Sequence, residues 1–383
     1  MSRQVLFFEN IIPDHNIDLI DNLKHIILEK KQKEIIYLDR NESQYGPSPA
    51  CFEALKGDNF KNISEYSRDY ARGVKSALSE RLANDFGVPE KNILLGYGGE
   101  DILKQAVHCY LSKGDKIMIP SYSWWYYKKI ADEKEGVKIE YPIVEGENSF
   151  YYDLEGMLRI YEENKPAMVL ISSPNNPTGN RLEIDQLKML LQKMKDTVVV
   201  IDEAYALFYN GDNSYLKELL SEFPNVLIIR SFSKYYGLAG IRIGFVLMGD
   251  NHAGLSLFSA RYLGYNRLSE RIAIAALDSK TYYDDIRDKI AADKDMYLAE
   301  FNKMKGFKAY KSYSNFILVK IPVELKEELK KYLSERDMVV KFMAEDGLFN
   351  HLRITIGTQD QNKMLIDMIK AFLPKTVSNE LVR

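Results

Sequence analysis

Val226-Leu227-Ile228-Ile229-Arg230-Ser231-Phe232-Ser233-Lys234, followed by Gly237-Leu238-Ala239-Gly240 and Arg242, runs from an apolar segment into a lysine and then into small residues. The run Val226 to Ile229, three of its residues β-branched, reads as a strand buried on both faces. The lysine follows where that strand ends. Burial there disfavours its charged form, lowers its pKa and frees the amine as a nucleophile able to form a Schiff base with a carbonyl compound.

The same pattern extends to both sides. From about residue 74, helical segments at 74–86, 100–111, 123–134 and 183–195 alternate with apolar strands at 93–95, 116–119, 167–171, 197–201, 226–229 and 244–247. Short apolar strands between helices predict an α/β fold with a mostly parallel sheet, seven-stranded and sandwiched by helices. After residue 250 the pattern is helical to about 300. A smaller α+β unit follows, with strands at 316–320, 338–342 and 351–356 and helices at 323–335 and 360–373. The division expected is an N-terminal arm with a small-domain segment (1–45), a large domain (46–265) and a small C-terminal domain (266–383). Within the arm, residues 15–34 have the periodicity of an amphipathic helix and Ile35-Ile36-Tyr37-Leu38 reads as a strand.

Composition excludes several functional classes. The 383 residues carry a net charge of −3, with basic residues dispersed, so no nucleic-acid groove is expected. Two cysteines, Cys51 and Cys109, lack metal-ligand spacing, as do the five histidines; no metal is expected, and free thiols suit a reducing compartment. No apolar run reaches membrane-spanning length and the N-terminal run is too short for a signal peptide, so a soluble, cytoplasmic protein is expected.

In an open α/β sheet, ligands bind beyond the carboxyl ends of the strands. Strand 93–95 runs into Gly96-Tyr97-Gly98-Gly99-Glu100-Asp101, where a helix begins. Its amides and dipole suit a phosphate, which makes Gly98, Gly99 and Glu100 binding candidates. Strand 116–119 leads into Pro120-Ser121-Tyr122-Ser123-Trp124-Trp125, and Tyr122, nearest the strand end, is the ring expected to stack on a planar ligand. Strand 167–171 leads into Ser172-Ser173-Pro174-Asn175-Asn176-Pro177-Thr178-Gly179, where Asn176 offers an amide. Strand 197–201 leads into Asp202-Glu203-Ala204-Tyr205; a carboxylate there needs a partner, such as a pyridinium N–H, and Tyr205 can bring its hydroxyl to the same pocket. Arg242, eight residues past Lys234, can reach a phosphate. A planar, phosphorylated pyridine aldehyde uses all of these groups, whereas a nicotinamide site has no need of the lysine.

These motifs, in this order and spacing, resemble the fold-type I pyridoxal-phosphate enzymes, specifically class I/II aminotransferases of the histidinol-phosphate aminotransferase type, over about residues 35 to 373. The resemblance implies pyridoxal 5'-phosphate as cofactor, with Lys234 forming the Schiff base and later shuttling a proton. Asp202 would hold the pyridine nitrogen protonated, Tyr205 and Asn176 would bond the phenolic oxygen, and Tyr122 would stack on the ring. Gly98, Gly99, Ser231, Ser233 and Arg242 would hold the phosphate, helped by Tyr66 from the partner subunit of a homodimer with shared sites. Arg353, in Leu352-Arg353-Ile354-Thr355-Ile356-Gly357, matches the arginine that grips the substrate's anionic group. Lys341 stands where the family usually has arginine, and Tyr45 and Gly46 border the same mouth. The implied reaction transfers an amino group from an amino acid donor, often glutamate, to a small keto or aldehyde acceptor that can carry a phosphate. The alternative with the same cofactor site is a decarboxylase of a phosphorylated amino acid.

Overall fold

The computed structural model describes residues 35–56, 64–209 and 211–380; the helix expected over 15–34 lies outside the described residues. The strands, in chain order, are β1 (Ile36–Leu38), β2 (Ile93–Gly96), β3 (Lys116–Pro120), β4 (Val137–Tyr141), β5 (Ile143–Glu145), β6 (Phe150–Tyr152), β7 (Met168–Ser172), β8 (Val198–Asp202), β9 (Val226–Ser231), β10 (Gly244–Met248), β11 (Lys308–Ala309), β12 (Phe316–Lys320), β13 (Met338–Phe342) and β14 (His351–Thr355). Seven of them form one sheet in the order β2-β10-β9-β8-β7-β3-β4. Only β10 runs antiparallel to its neighbours in that sheet. The mostly parallel seven-stranded sheet expected from the apolar runs is therefore present.

Its members were not all visible in the sequence. β4 reads Val-Lys-Ile-Glu-Tyr and leaves most of its residues to solvent, because it is the edge strand and needs only part of one face apolar. The hairpin β5–β6 and the helices Leu154–Asn164 and Ser214–Glu222 were likewise not expected.

Helices cover both faces of the large sheet. On one face, Ile102, Leu103, Ala106 and Val107 of the helix Gly99–Tyr110 and Tyr127 and Ile130 of the helix Trp125–Glu133 pack on Ile119, Leu170, Val200, Leu227 and Val246. On the other, Leu187, Leu190 and Leu191 with Leu216 and Leu219 meet Val169, Ile171, Val199, Ile201 and Ile228. Burying each such side chain stabilises by roughly 1.5–3 kcal/mol. A five-stranded sheet in the order β1-β13-β14-β12-β11 carries the C-terminal strands, and β1 adds to its edge parallel to β13. The segment after β1 is thereby led across to the carboxyl ends of the large sheet.

One ion pair crosses two of those ends inside the core. Arg230 on β9 donates through Nε (2.9 Å) and Nη2 (2.7 Å) to one carboxylate oxygen of Glu203, which follows β8; both side chains are 5% exposed. Tyr215 donates to the other oxygen (2.6 Å), and Arg230 Nη1 reaches Asn213 Oδ1 at 2.5 Å. Removing one member leaves the other charged and dry. Arg230→Met is therefore expected to cost about 3–5 kcal/mol in urea unfolding, and adding Glu203→Leu is expected to recover part of that loss.

Candidate active site

β8 and β9 pair in parallel with Asp202 opposite Ile229, so the chain leaves both strands at the same edge of the sheet. Asp202 ends β8. Its Oδ2 accepts from the Tyr127 hydroxyl at 2.7 Å and its Oδ1 from the Ala204 N–H at 3.0 Å. Burial raises its pKa, and these two donors offset part of the rise. One lone-pair side of the carboxylate is thus held while the group still favours a further donor.

Lys234 follows β9 by one short turn, in which the Ser231 hydroxyl accepts from the Ser233 N–H at 3.0 Å. Its amine donates to the Arg40 carbonyl at 2.8 Å. Desolvation, reinforced by the Arg353 charge, lowers its pKa to about 8; Arg242 acts in the same direction, while Glu42 and Asp202 oppose. Those four charges and the lysine share one pocket.

The glycines explain how the backbone comes so close. A Cβ on Gly244 would stand 2.8 Å from the carbonyl carbon of Gly98 and from the nitrogen of Gly99, so only glycine lets β10 lie against the start of the helix Gly99–Tyr110. Gly98 adopts φ +90°, and a Cβ there would meet Arg242 Nη2 at 2.7 Å. Arg242 bonds the carbonyls of Ala239 (3.2 Å) and Tyr97 (3.3 Å) and pairs with Glu100 at 3.6 Å. Gly98, Gly99, Ser231 and Arg242 therefore lie around one helix N-terminus, an arrangement suited to a phosphate, with Ser233 bonded through its N–H to Ser231. Glu100 engages the arginine.

Tyr205 is buried and its hydroxyl oxygen accepts from Asn41 Nδ2 at 2.9 Å, which leaves the phenol's own proton to donate. Arg353, on β14, bonds the Asn176 side-chain oxygen and the Asp39 carbonyl. Its Nε is buried without a partner, and burial lowers its pKa. With its oxygen taken, Asn176 keeps its N–H₂ to donate. Lys341 pairs with Arg353 across β13 and β14 and is exposed beside it. The Tyr45-Gly46 turn packs on the lysine loop, where a Cβ on Gly237 (φ +64°) would meet the Gly46 carbonyl at 2.9 Å; the Tyr45 hydroxyl is buried without a partner.

Two further expected residues border this cluster: the Tyr122 carbonyl accepts from Nδ2 of Asn175, the neighbour of Asn176, at 2.8 Å. The Tyr122 ring lies edge-on to Phe150 at 6.1 Å, its hydroxyl against Gly347, and Tyr66 is 69% exposed, with its carbonyl accepting from Arg267 (2.6 Å). Tyr127, Asn41 and the carbonyls of Asp39 and Arg40 were not singled out in the sequence. Tyr127 was hidden in an aromatic run, and Asn41 meets Tyr205 across 164 residues. Among the described residues, no three His, Cys, Asp or Glu side chains gather to hold a metal, and no helix is long and apolar enough to cross a membrane.

The donor set fits a phosphorylated pyridine aldehyde. A desolvated carboxylate suits a ring N–H, a phenol and an amide suit a phenolate oxygen, a glycine-rich helix start with Arg242 suits a phosphate, and a lysine of lowered pKa suits the aldehyde.

Residues 33–369 match the family described as aminotransferase class I and II. The chain is 30% identical over 343 residues to histidinol-phosphate aminotransferase of Ruminiclostridium cellulolyticum, covering 88% of this chain and 92% of that protein. It is 32% identical over 344 residues to histidinol-phosphate aminotransferase 2 of Archaeoglobus fulgidus, covering 88% and 93%. Among solved structures, histidinol-phosphate aminotransferase from Sinorhizobium meliloti in complex with pyridoxal-5'-phosphate has the same fold (TM-score 0.78, 24% identity, 90% of this chain and 94% of that one). So does L-threonine-O-3-phosphate decarboxylase from Porphyromonas gingivalis (TM-score 0.73, 20% identity, 89% and 100%).

The lowered lysine pKa has a kinetic signature. The rate of pyridoxal-phosphate uptake by apo protein, followed by absorbance, is expected to rise about tenfold per pH unit up to about 8 and then level. An ordinary lysine would keep accelerating to beyond about pH 10.

Proposed function

Because this chain belongs to the class I and II aminotransferase family, we propose that the cluster around Lys234 is where it moves an amino group from an amino acid donor to a small keto or aldehyde acceptor. The enzyme is a pyridoxal-phosphate-dependent aminotransferase. The observation that carries the site assignment is the pairing at one sheet edge of a lysine with a pKa near 8 and a desolvated carboxylate braced by Tyr127.

When bound, the cofactor supplies an aldehyde for the lysine amine and a ring that withdraws electrons from the substrate's α-carbon. Lys234, whose lowered pKa frees its Nζ more readily than that of an ordinary lysine, would hold the cofactor through its aldehyde, and the same Nζ would carry the substrate's α-proton. Asp202, oriented by Tyr127 and Ala204, accepts the ring N–H and keeps the nitrogen protonated. Tyr205 and Asn176 donate to the phenolic oxygen. Gly98, Gly99, Ser231, Ser233 and Arg242 hold the phosphate, with Glu100 steadying Arg242. Arg353, with Nε uncommitted, and Lys341 bind the substrate's anionic end, bordered by Tyr45 and Gly46. Two positive side chains on adjacent strands favour a phosphorylated acceptor, in keeping with the names of the relatives. Glutamate is the donor proposed.

The site is proposed to be completed by a second copy of the chain. Tyr66, Tyr70, Tyr97, Leu257, Phe258 and Tyr262 are large exposed apolar side chains. The Ser67 N–H bonds the Leu263 carbonyl, and Arg261 covers the Tyr97 ring at 4.5 Å, which joins parts of this surface. Tyr97 adjoins the phosphate cradle, so the surface is continuous with the site. A contiguous apolar face of this kind marks an interface, and the partner subunit would bring its own Tyr66 to the phosphate. The chemistry and the free thiols Cys51 and Cys109 suit a cytoplasmic enzyme.

Lys234→Ala is expected to lower transamination between glutamate and phosphorylated ketones at least about 10³-fold while leaving the unfolding transition of the apo protein in place. Release of carbon dioxide from phosphorylated amino acids without amino transfer would instead favour a decarboxylase. Sedimentation is expected to give twice the chain mass. Tyr66→Ala should remain a dimer yet bind the cofactor about tenfold more weakly, the loss of one phosphate contact; a monomeric wild type would contradict the shared site.

A further inference from the structure

Resting on the reading that Tyr205 donates to the cofactor's phenolic oxygen, we propose that Asn41 is a positioning residue for the reaction: its side-chain amide fixes the Tyr205 hydroxyl as a donor to the pocket. Asn41 is buried and bridges the two sheets, meeting Tyr205 beyond the end of β8 and Thr355 on β14. Its N–H donates to Thr355 Oγ1 at 2.9 Å, and its carbonyl accepts from Asn315 Nδ2 at 3.0 Å. The Thr355 hydroxyl, having accepted, keeps its own proton, which goes to Asn41 Oδ1 at 3.4 Å. That bond decides which way the amide points. Oδ1 faces the threonine and Nδ2 faces Tyr205, whose hydroxyl oxygen accepts at 2.9 Å. An amide turned the other way would present an acceptor to the phenol and take the proton that the pocket needs.

The backbone suits the same residue. Asn41 adopts φ +57°, in the left-handed region that asparagine enters more readily than most side chains. The two carbonyls just before it also serve the site: that of Asp39 accepts from Arg353, and that of Arg40 accepts from the Lys234 amine at 2.8 Å. One short segment therefore touches the lysine, the arginine and the phenol together. The Tyr205 ring lies edge-on to Phe316 of β12 at 5.2 Å, which holds its plane and leaves the direction of the hydroxyl proton to be set. Burial raises the phenol's pKa; Arg353 and the Asn41 amide act against that rise, and Asp202 adds to it. A hydrogen bond donated to the phenol's oxygen also polarises its O–H and makes it the stronger donor.

The test is a pH titration of the visible absorption of pyridoxal phosphate bound to the protein. A proton donated by Tyr205 favours negative charge on the cofactor's phenolic oxygen, so weakening that donation moves the spectral transition to higher pH. Tyr205→Phe is expected to raise the transition by about one pH unit or more, the scale of one hydrogen bond. Asn41→Gly keeps the left-handed backbone and removes only the amide. It is expected to raise the transition by roughly half a unit to one unit. Thr355→Val leaves Asn41 in place but removes the hydroxyl that orients its amide, and is expected to shift the transition the same way by less. Both shifts are expected to vanish when Tyr205 is already phenylalanine. Thermal unfolding of each apo variant checks that it folds, and the threonine variant carries the test if Asn41→Gly does not. No shift in either variant, or shifts that persist in full beside Tyr205→Phe, overturns the assignment and leaves Asn41 a turn residue. A transition that Tyr205→Phe does not move, or a wild-type protein that takes up no pyridoxal phosphate, overturns the underlying reading and the proposal with it.

Discussion

Everything at the site depends on the register between β8 and β9. Asp202 lies opposite Ile229, and the turn from Ser231 to Lys234 begins two residues later. Side chains alternate faces along a strand, so a slip of one residue would turn the buried set of either strand to the wrong face. Apolar packing on both faces fixes the register: Val200 and Leu227 face one core, Val199, Ile201 and Ile228 the other. The Arg230–Glu203 pair then ties the two chain exits together below the pocket. Carboxylate and amine are held by the sheet itself, and the loops only aim them.

Electrostatics follow from that placement. Lys234, Arg242 and Arg353 converge on a pocket where Asp202 and Glu42 answer only part of their charge. Burial, reinforced by the neighbouring Arg353 charge, lowers the lysine pKa, and Arg353 Nε is buried without a partner. Such a pocket is poised for anions. The phosphate of a cofactor and the anionic group of a substrate would supply them, and both would relieve repulsion that the protein alone leaves in place. Close backbone approach makes this arrangement possible, since Gly244 against Gly98 and Gly237 against Gly46 admit no side chain between segments distant in sequence.

What the sequence revealed follows the same physics. Lys234, Asp202 and Asn176 were legible because buried parallel strands announce themselves as apolar runs and their carboxyl ends are where polar residues matter. Edge strand β4 was not, since only part of it is buried. Nor was Asn41, whose bond to Tyr205 joins the segment after β1 to the end of β8 across a fold-scale gap.

The central claim, that Lys234 is the amine joined to the cofactor, is tested most directly by covalent trapping. The protein loaded with pyridoxal phosphate is reduced with borohydride, digested and mapped by mass spectrometry. The account predicts a phosphopyridoxyl group on the peptide spanning Ser231 to Arg242, at Lys234 alone. A label on another lysine, or none on a protein that retains the cofactor, would contradict it.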